Sequence, residues 1–97
     1  MDLRTCAEKV IRSFDMLKRL LRERAELRDD EMIIFDPPFT IRILKNEEII
    51  IFYLDDEEIA VIGKDECFLK KKEFEGVVRE WLSALTSLSF KRYIPKR

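Results

Sequence analysis

Apolar positions recur at helical spacing near the start of the chain. Leu3, Cys6, Ala7, Val10, Phe14, Leu17, Leu20, Leu21 and Leu27 form one wide stripe, with Ile11 and Met16 at its margins. Such a stripe predicts an amphipathic helix over residues 2 to about 28. Asp2 is suited to cap it. Glu8–Arg12 and Asp15–Arg19 stand four residues apart in the favoured order. Ser13 and Arg24 interrupt the stripe where a coiled coil would need apolar seam residues. At about 1.5 Å per residue the helix would reach roughly 40 Å, long for so small a domain, so its far end is expected to meet a second subunit.

The period then changes. Met32–Phe35 is a short apolar run that stops before Pro37–Pro38, and it reads as a short edge strand or the first half of a kinked one. Phe39–Leu44 alternates, with Phe39, Ile41 and Ile43 on one face and Thr40, Arg42 and Leu44 on the other. Ile49–Leu54 is apolar throughout, which predicts a central strand covered on both faces. Asp55–Glu58 turns the chain, Ile59–Ile62 pairs back, Gly63 ends the hairpin, and Cys67–Leu69 adds a last short strand. Short polar connections between these runs predict an antiparallel meander.

A second helix is expected from about Lys71 to Leu88, with Phe74, Val77, Val78, Trp81, Leu82, Leu85 and Leu88 on one face. Gly76 costs this helix about 1 kcal/mol relative to Ala and is expected to mark a close approach to the sheet. Residues 89–97 form a basic, aromatic tail. The result is a single two-layer α+β domain over residues 1–97: a long N-terminal helix, three to four antiparallel strands, and a C-terminal helix.

This layout leaves a conflict. If both helices lie on one face of the sheet, the other is bare, yet Ile49–Leu54 asks for cover on both. A homodimer resolves it, through packing of sheet faces or through the first helix crossing to its partner. The monomeric alternative places the helices on opposite faces.

Composition narrows the chemistry. Of the 97 residues 40% are charged and 46% hydrophobic, with no His, no Gln, one Asn and two Gly. Abundant Lys, Arg and Glu with few amides resembles the composition of thermophile proteins. No apolar run approaches the ~18 residues of a membrane span, and no secretory signal is apparent, so a cytoplasmic location without membrane association is expected. Cys6 and Cys67 are then expected to be reduced and buried, with a disulfide the lesser option. Without His, two cysteines cannot complete a zinc site, and Ser/His or Cys/His nucleophilic systems are excluded within the chain. No Gly-rich phosphate loop exists. No cofactor, metal site or catalytic residue is therefore assigned, and a non-enzymatic role is expected.

Charge is partitioned along the chain. Residues 1–28 carry a net +3, residues 29–66 a net −9 and residues 67–97 a net +5. The acids at Asp29–Glu31, Asp55–Glu58 and Asp65–Glu66 match no cation-loop spacing and suit solvated turns. Basic side chains gather at Lys18, Arg19 and Arg22, at Lys70, Lys71 and Lys72, and in the tail at Lys91, Arg92, Lys96 and Arg97. Lysines opening a helix oppose its dipole, a mismatch that a bound phosphate would relieve. Tyr93 and Phe90 among these cations suit base stacking.

Helix, three strands, helix, with lysines opening the last helix, is also the element order of double-stranded RNA-binding domains. Their Gly-Pro-His loop has no counterpart here, and Phe74, Val77, Trp81 and Leu82 replace their small residues, so the likeness stops at element order. The leading expectation is a small non-enzymatic protein-interaction module, homodimeric, with another protein as possible partner. The alternative is a nucleic-acid-binding accessory protein using Lys70, Lys71, Lys72, Lys91, Arg92, Tyr93, Lys96 and Arg97.

Overall fold

A computed structural model describes residues 2–91, with side chains from Asp2 to Leu88. The fold is α+β, as the residue pattern predicts, with more strands than expected. Two short helices, α1 (Leu3–Arg12) and α2 (Phe14–Leu21), lead into strands β1 (Ala25–Leu27), β2 (Glu31–Asp36), β3 (Phe39–Leu44), β4 (Ile49–Leu54), β5 (Glu57–Gly63) and β6 (Cys67–Leu69). Helix α3 (Glu75–Lys91) follows. All six strands form one antiparallel sheet in sequence order, a pure meander.

The single long N-terminal helix is not what forms. Ser13 separates α1 from α2, with φ −94° and ψ 14°. Helix α2 ends after Leu21, and Arg22 takes a left-handed φ of 41°. The charged run Arg22-Glu23-Arg24 offers no apolar side chain to continue the stripe. Beyond it the period becomes two: Ala25 pairs with Ile34 and Leu27 with Met32, both packing against the core, while Glu26 is exposed. Leu27 thus fits a helical stripe and a strand equally well, and pairing with β2 decides. The molecule spans 37 × 26 × 25 Å, and no ~40 Å helix remains to cross to a partner. Asp2 does cap α1, its carboxylate accepting from the Thr5 amide at 2.8 Å. Arg12 donates to Glu8 at 2.9 Å, whereas Asp15 meets Lys45 at 3.4 Å rather than Arg19.

Strand β2 is an interior strand, not an edge or a kinked half. Pro37–Pro38, a cis peptide, fills the turn that returns the chain to β3, with Asp36 opposite Phe39. The prolines therefore sit where no ladder N–H is needed, while the Pro38 carbonyl accepts from the Asp55 amide at 2.8 Å. At the central hairpin, Phe52 pairs with Ala60 but Tyr53 pairs with Glu58, leaving Ile59 as an extra residue in β5. Simple alternation would put Ile59 on the face opposite Ala60. The bulge turns it inward, where it is 1% exposed.

The core lies between the helices and one face of the sheet. Val10, Phe14 and Leu17 from the first two helices, and Val78, Leu82 and Leu85 from α3, meet Met32, Ile41, Ile43, Ile50, Phe52 and Ile62. Full burial of each such side chain stabilises by about 1.5–3 kcal/mol. The apolar face expected for the second helix is the one that packs. Its start is later: Lys71 is extended, Lys72–Phe74 form a single 3-10 turn, and the first α-helical turn opens with Glu75. Gly76 makes no close approach, because a methyl group there would meet nothing within 4 Å. Both cysteines are free, but only Cys6 is buried, since Cys67 lies exposed on the edge strand β6.

Candidate interaction surface

Register identifies the second face of the sheet. Glu26 pairs with Ile33, Ile33 with Arg42, Arg42 with Ile51, Ile51 with Val61, and Val61 with Phe68. Partners across an antiparallel ladder share a face, so these six residues form one row across all six strands. Flanking rows add Glu31, Leu44 and Ile49 on one side and Phe35, Thr40, Tyr53 and Glu58 on the other. The strand residues packed against the helices have the opposite parity, among them Met32, Ile34, Ile41, Ile43, Ile50, Phe52 and Ile62. Among the described residues, no helix lies over this second face.

The bare face is nonetheless apolar. Phe35 is 57% exposed and Phe68 49%. Ile51 is buried to 8% yet stands outside the cluster of core side chains, so its own sheet neighbours enclose it. Ile33, Leu44, Ile49, Tyr53 and Val61 are half-buried. A charged pair interrupts this surface. Arg42 Nε donates to the Glu31 carboxylate on the next strand. That hydrogen bond first, and one with the Tyr53 side chain second, raise the guanidinium pKa above its already high ordinary value. Arg42 is thereby held by Glu31 of the neighbouring strand β2, with its charge balanced in place.

The charge clusters have local roles. Lys18 and Arg19 lie in the last turn of α2, where cations complement the helix dipole. Arg22 Nε donates to the Arg19 carbonyl at 3.2 Å. Lys18 and Lys45 stand 5.9 and 5.7 Å from the centre of the Phe14 ring. Asp30 accepts from Asn46 at 2.8 Å, and Glu57 pairs with Lys70. Among the described residues, no three His, Cys, Asp or Glu side chains gather as a metal-binding group. A shallow cleft of about 350 Å³ beside α3 is lined by Asp36, Glu80, Trp81 and Ala84.

The residues named for nucleic acid are not gathered at a helix start. Lys70 follows β6 and is paired, Lys71 is extended, and Lys72 belongs to the 3-10 turn, with Glu73 and Glu75 next in line. The dipole mismatch therefore disappears, since the acids take the favoured position. Lys91 ends α3, its side chain outside the described part, and Arg92, Tyr93, Lys96 and Arg97 lie outside the described residues. Sequence reading anticipates a bare face under Ile49–Leu54 and puts Thr40, Arg42 and Leu44 together on one face of their strand, but the row across all six strands emerges only from the register.

Fold and surface together define a two-layer α+β domain with a one-sided meander sheet. The chain belongs to the Archaeoglobi AF1636 family, whose model matches residues 1–97. It is similar to an uncharacterized protein of Archaeoglobus fulgidus, 37% identical over 91 residues, which cover 94% of this chain and 96% of that protein. No solved structure matches the chain. Among the described residues, no helix is long and apolar enough to cross a membrane.

Proposed function

We propose that this protein is a small, non-enzymatic, cytoplasmic interaction module whose working surface is the uncovered face of its sheet. The observation that carries the reading is the exposure of Phe35 and Phe68 at opposite ends of an apolar face that includes the enclosed Ile51. Contiguous exposed apolar surface on a small domain marks a site of protein contact. The middle of the surface has the composition of an interface centre, with aromatic and aliphatic side chains around Arg42, whose charge Glu31 matches, and with Glu26 and Glu58 farther out.

A salt-dependent electrophoretic shift assay separates this reading from nucleic-acid binding. The intact chain is expected to leave duplex and single-stranded oligonucleotides unretarded at low salt. Retardation that fades as salt rises would transfer the function to the lysines and the basic tail. Protein binding is tested with Phe35→Glu/Phe68→Glu. Loss of every protein contact that the wild type makes, with the far-ultraviolet circular dichroism unchanged, is the expected result.

A further inference from the structure

Resting on that reading, we infer that the occupant of the open sheet face is a second copy of the same chain, stacked face to face. Three features favour a copy over an unlike partner.

The first is charge. A surface that binds itself brings two equal net charges together, so unbalanced charge would repel. On this face two of the charges are balanced within each chain: Arg42 with Glu31 and Glu26 with Arg28. Glu58 pairs with Tyr53 in the outer row and is exposed. Apart from Glu58 at the rim, two such faces bring no net charge together, and Arg42 carries its counter-charge into the contact. An unpaired buried arginine would be strongly unfavourable.

The second is geometry. Both sheet edges are three-residue strands, β1 and β6, which offer little backbone for edge-to-edge pairing. The broad apolar surface lies on the face instead. Aligned sheets pack face to face at about 10 Å with interdigitating side chains, and Phe35, Ile51 and Phe68 are suited to that layer.

The third is area. About 30 strand residues, each covering ~16 Å² of sheet, give a face of ~500 Å² in projection. Two copies that cover the whole face bury about 1,000 Å², the lower bound for a specific interface. The homodimer expected from Ile49–Leu54 thus has a concrete route, and the route is the sheet rather than the first helix.

Light scattering on the intact 97-residue chain tests this. The expected mass is twice the 11.7 kDa of one chain. Phe35→Glu/Phe68→Glu is expected to halve that mass while circular dichroism stays unchanged. Because both side chains are exposed, their replacement leaves the core intact. A second measurement needs no variant: Tm of the wild type is expected to rise with protein concentration from about 1 to about 200 µM, as mass action requires of a dimer. A single-chain mass with a concentration-independent Tm overturns the inference, as does a dimer that survives both substitutions. If the chain is monomeric but Phe35 and Phe68 are needed to bind a different protein, the second copy is wrong and the interaction module stands. A monomer with no contact dependent on this face overturns both.

Discussion

Gly63 lies against Glu48 where the central hairpin meets the preceding turn: a methyl group built on Gly63 would sit 2.5 Å from the Glu48 carbonyl oxygen. The same group would be 2.9 Å from Cγ2 of Ile49, its cross-strand partner. The obstructing oxygen belongs to the backbone and cannot rotate away. Gly63→Ala is therefore expected to destabilise by about 1–3 kcal/mol, the range for overpacking a close contact. Urea denaturation of both proteins measures it, and an unchanged midpoint would contradict the close approach.

Gly76 gives the opposite sign. It is exposed in the first turns of α3, with open space where a side chain would go. Gly76→Ala is expected to stabilise by up to about 1 kcal/mol through helix propensity alone. The two glycines form a matched pair for one denaturation experiment.

Glu48 holds a left-handed backbone, with φ of 58°. A side chain there costs roughly 1 kcal/mol that glycine avoids. Glu48→Gly is expected to raise the unfolding midpoint, although it removes a side chain from the surface. A lower midpoint would mean that the Glu48 side chain makes a contact worth more than the backbone cost.

Phe14 anchors the first two helices to the core and is fully buried. Phe14→Ala is expected to cost about 3–5 kcal/mol, a large share of the stability of a domain this size. Thermal unfolding by circular dichroism should show it. The shift should be far larger than that of Phe68→Ala, whose side chain is half exposed.

The Thr5 amide holds the Asp2 carboxyl below its ordinary pKa of 3.8, mainly by hydrogen bonding to the charged form. A depressed folded-state pKa gives stability that is fully present above the unfolded value and is lost as pH falls through the folded one. The stability difference between wild type and Asp2→Ala is therefore expected to be constant near neutrality and to shrink as pH drops below about 4. A difference that persists in acid would assign the cap some role other than its charge.

Legibility in the sequence followed how many periods each segment satisfied. Phe39–Leu44 and Ile49–Leu54 fit only a strand, and the structure places both with the expected bounds. The Phe74–Leu88 stripe fits only a helix, and it packs as one. Residues 25–27 satisfied both periods weakly. Their state was set by pairing with β2, a tertiary contact that no local pattern records. The inward turn of Ile59 was hidden for a related reason, because a bulge is a property of two strands in register. The open face was half legible. Ile51 announced that something should cover it, but Arg42, Val61 and Phe68 joined its row only once the register was known.

The one-sidedness of the sheet has a consequence for size. Among the described residues, helices occupy one face and the edge strands are short, which leaves one open face on the sheet. The stacking inferred above would consume that face in both participants. Such an assembly would close at two, and higher concentration would fill pairs rather than lengthen a stack.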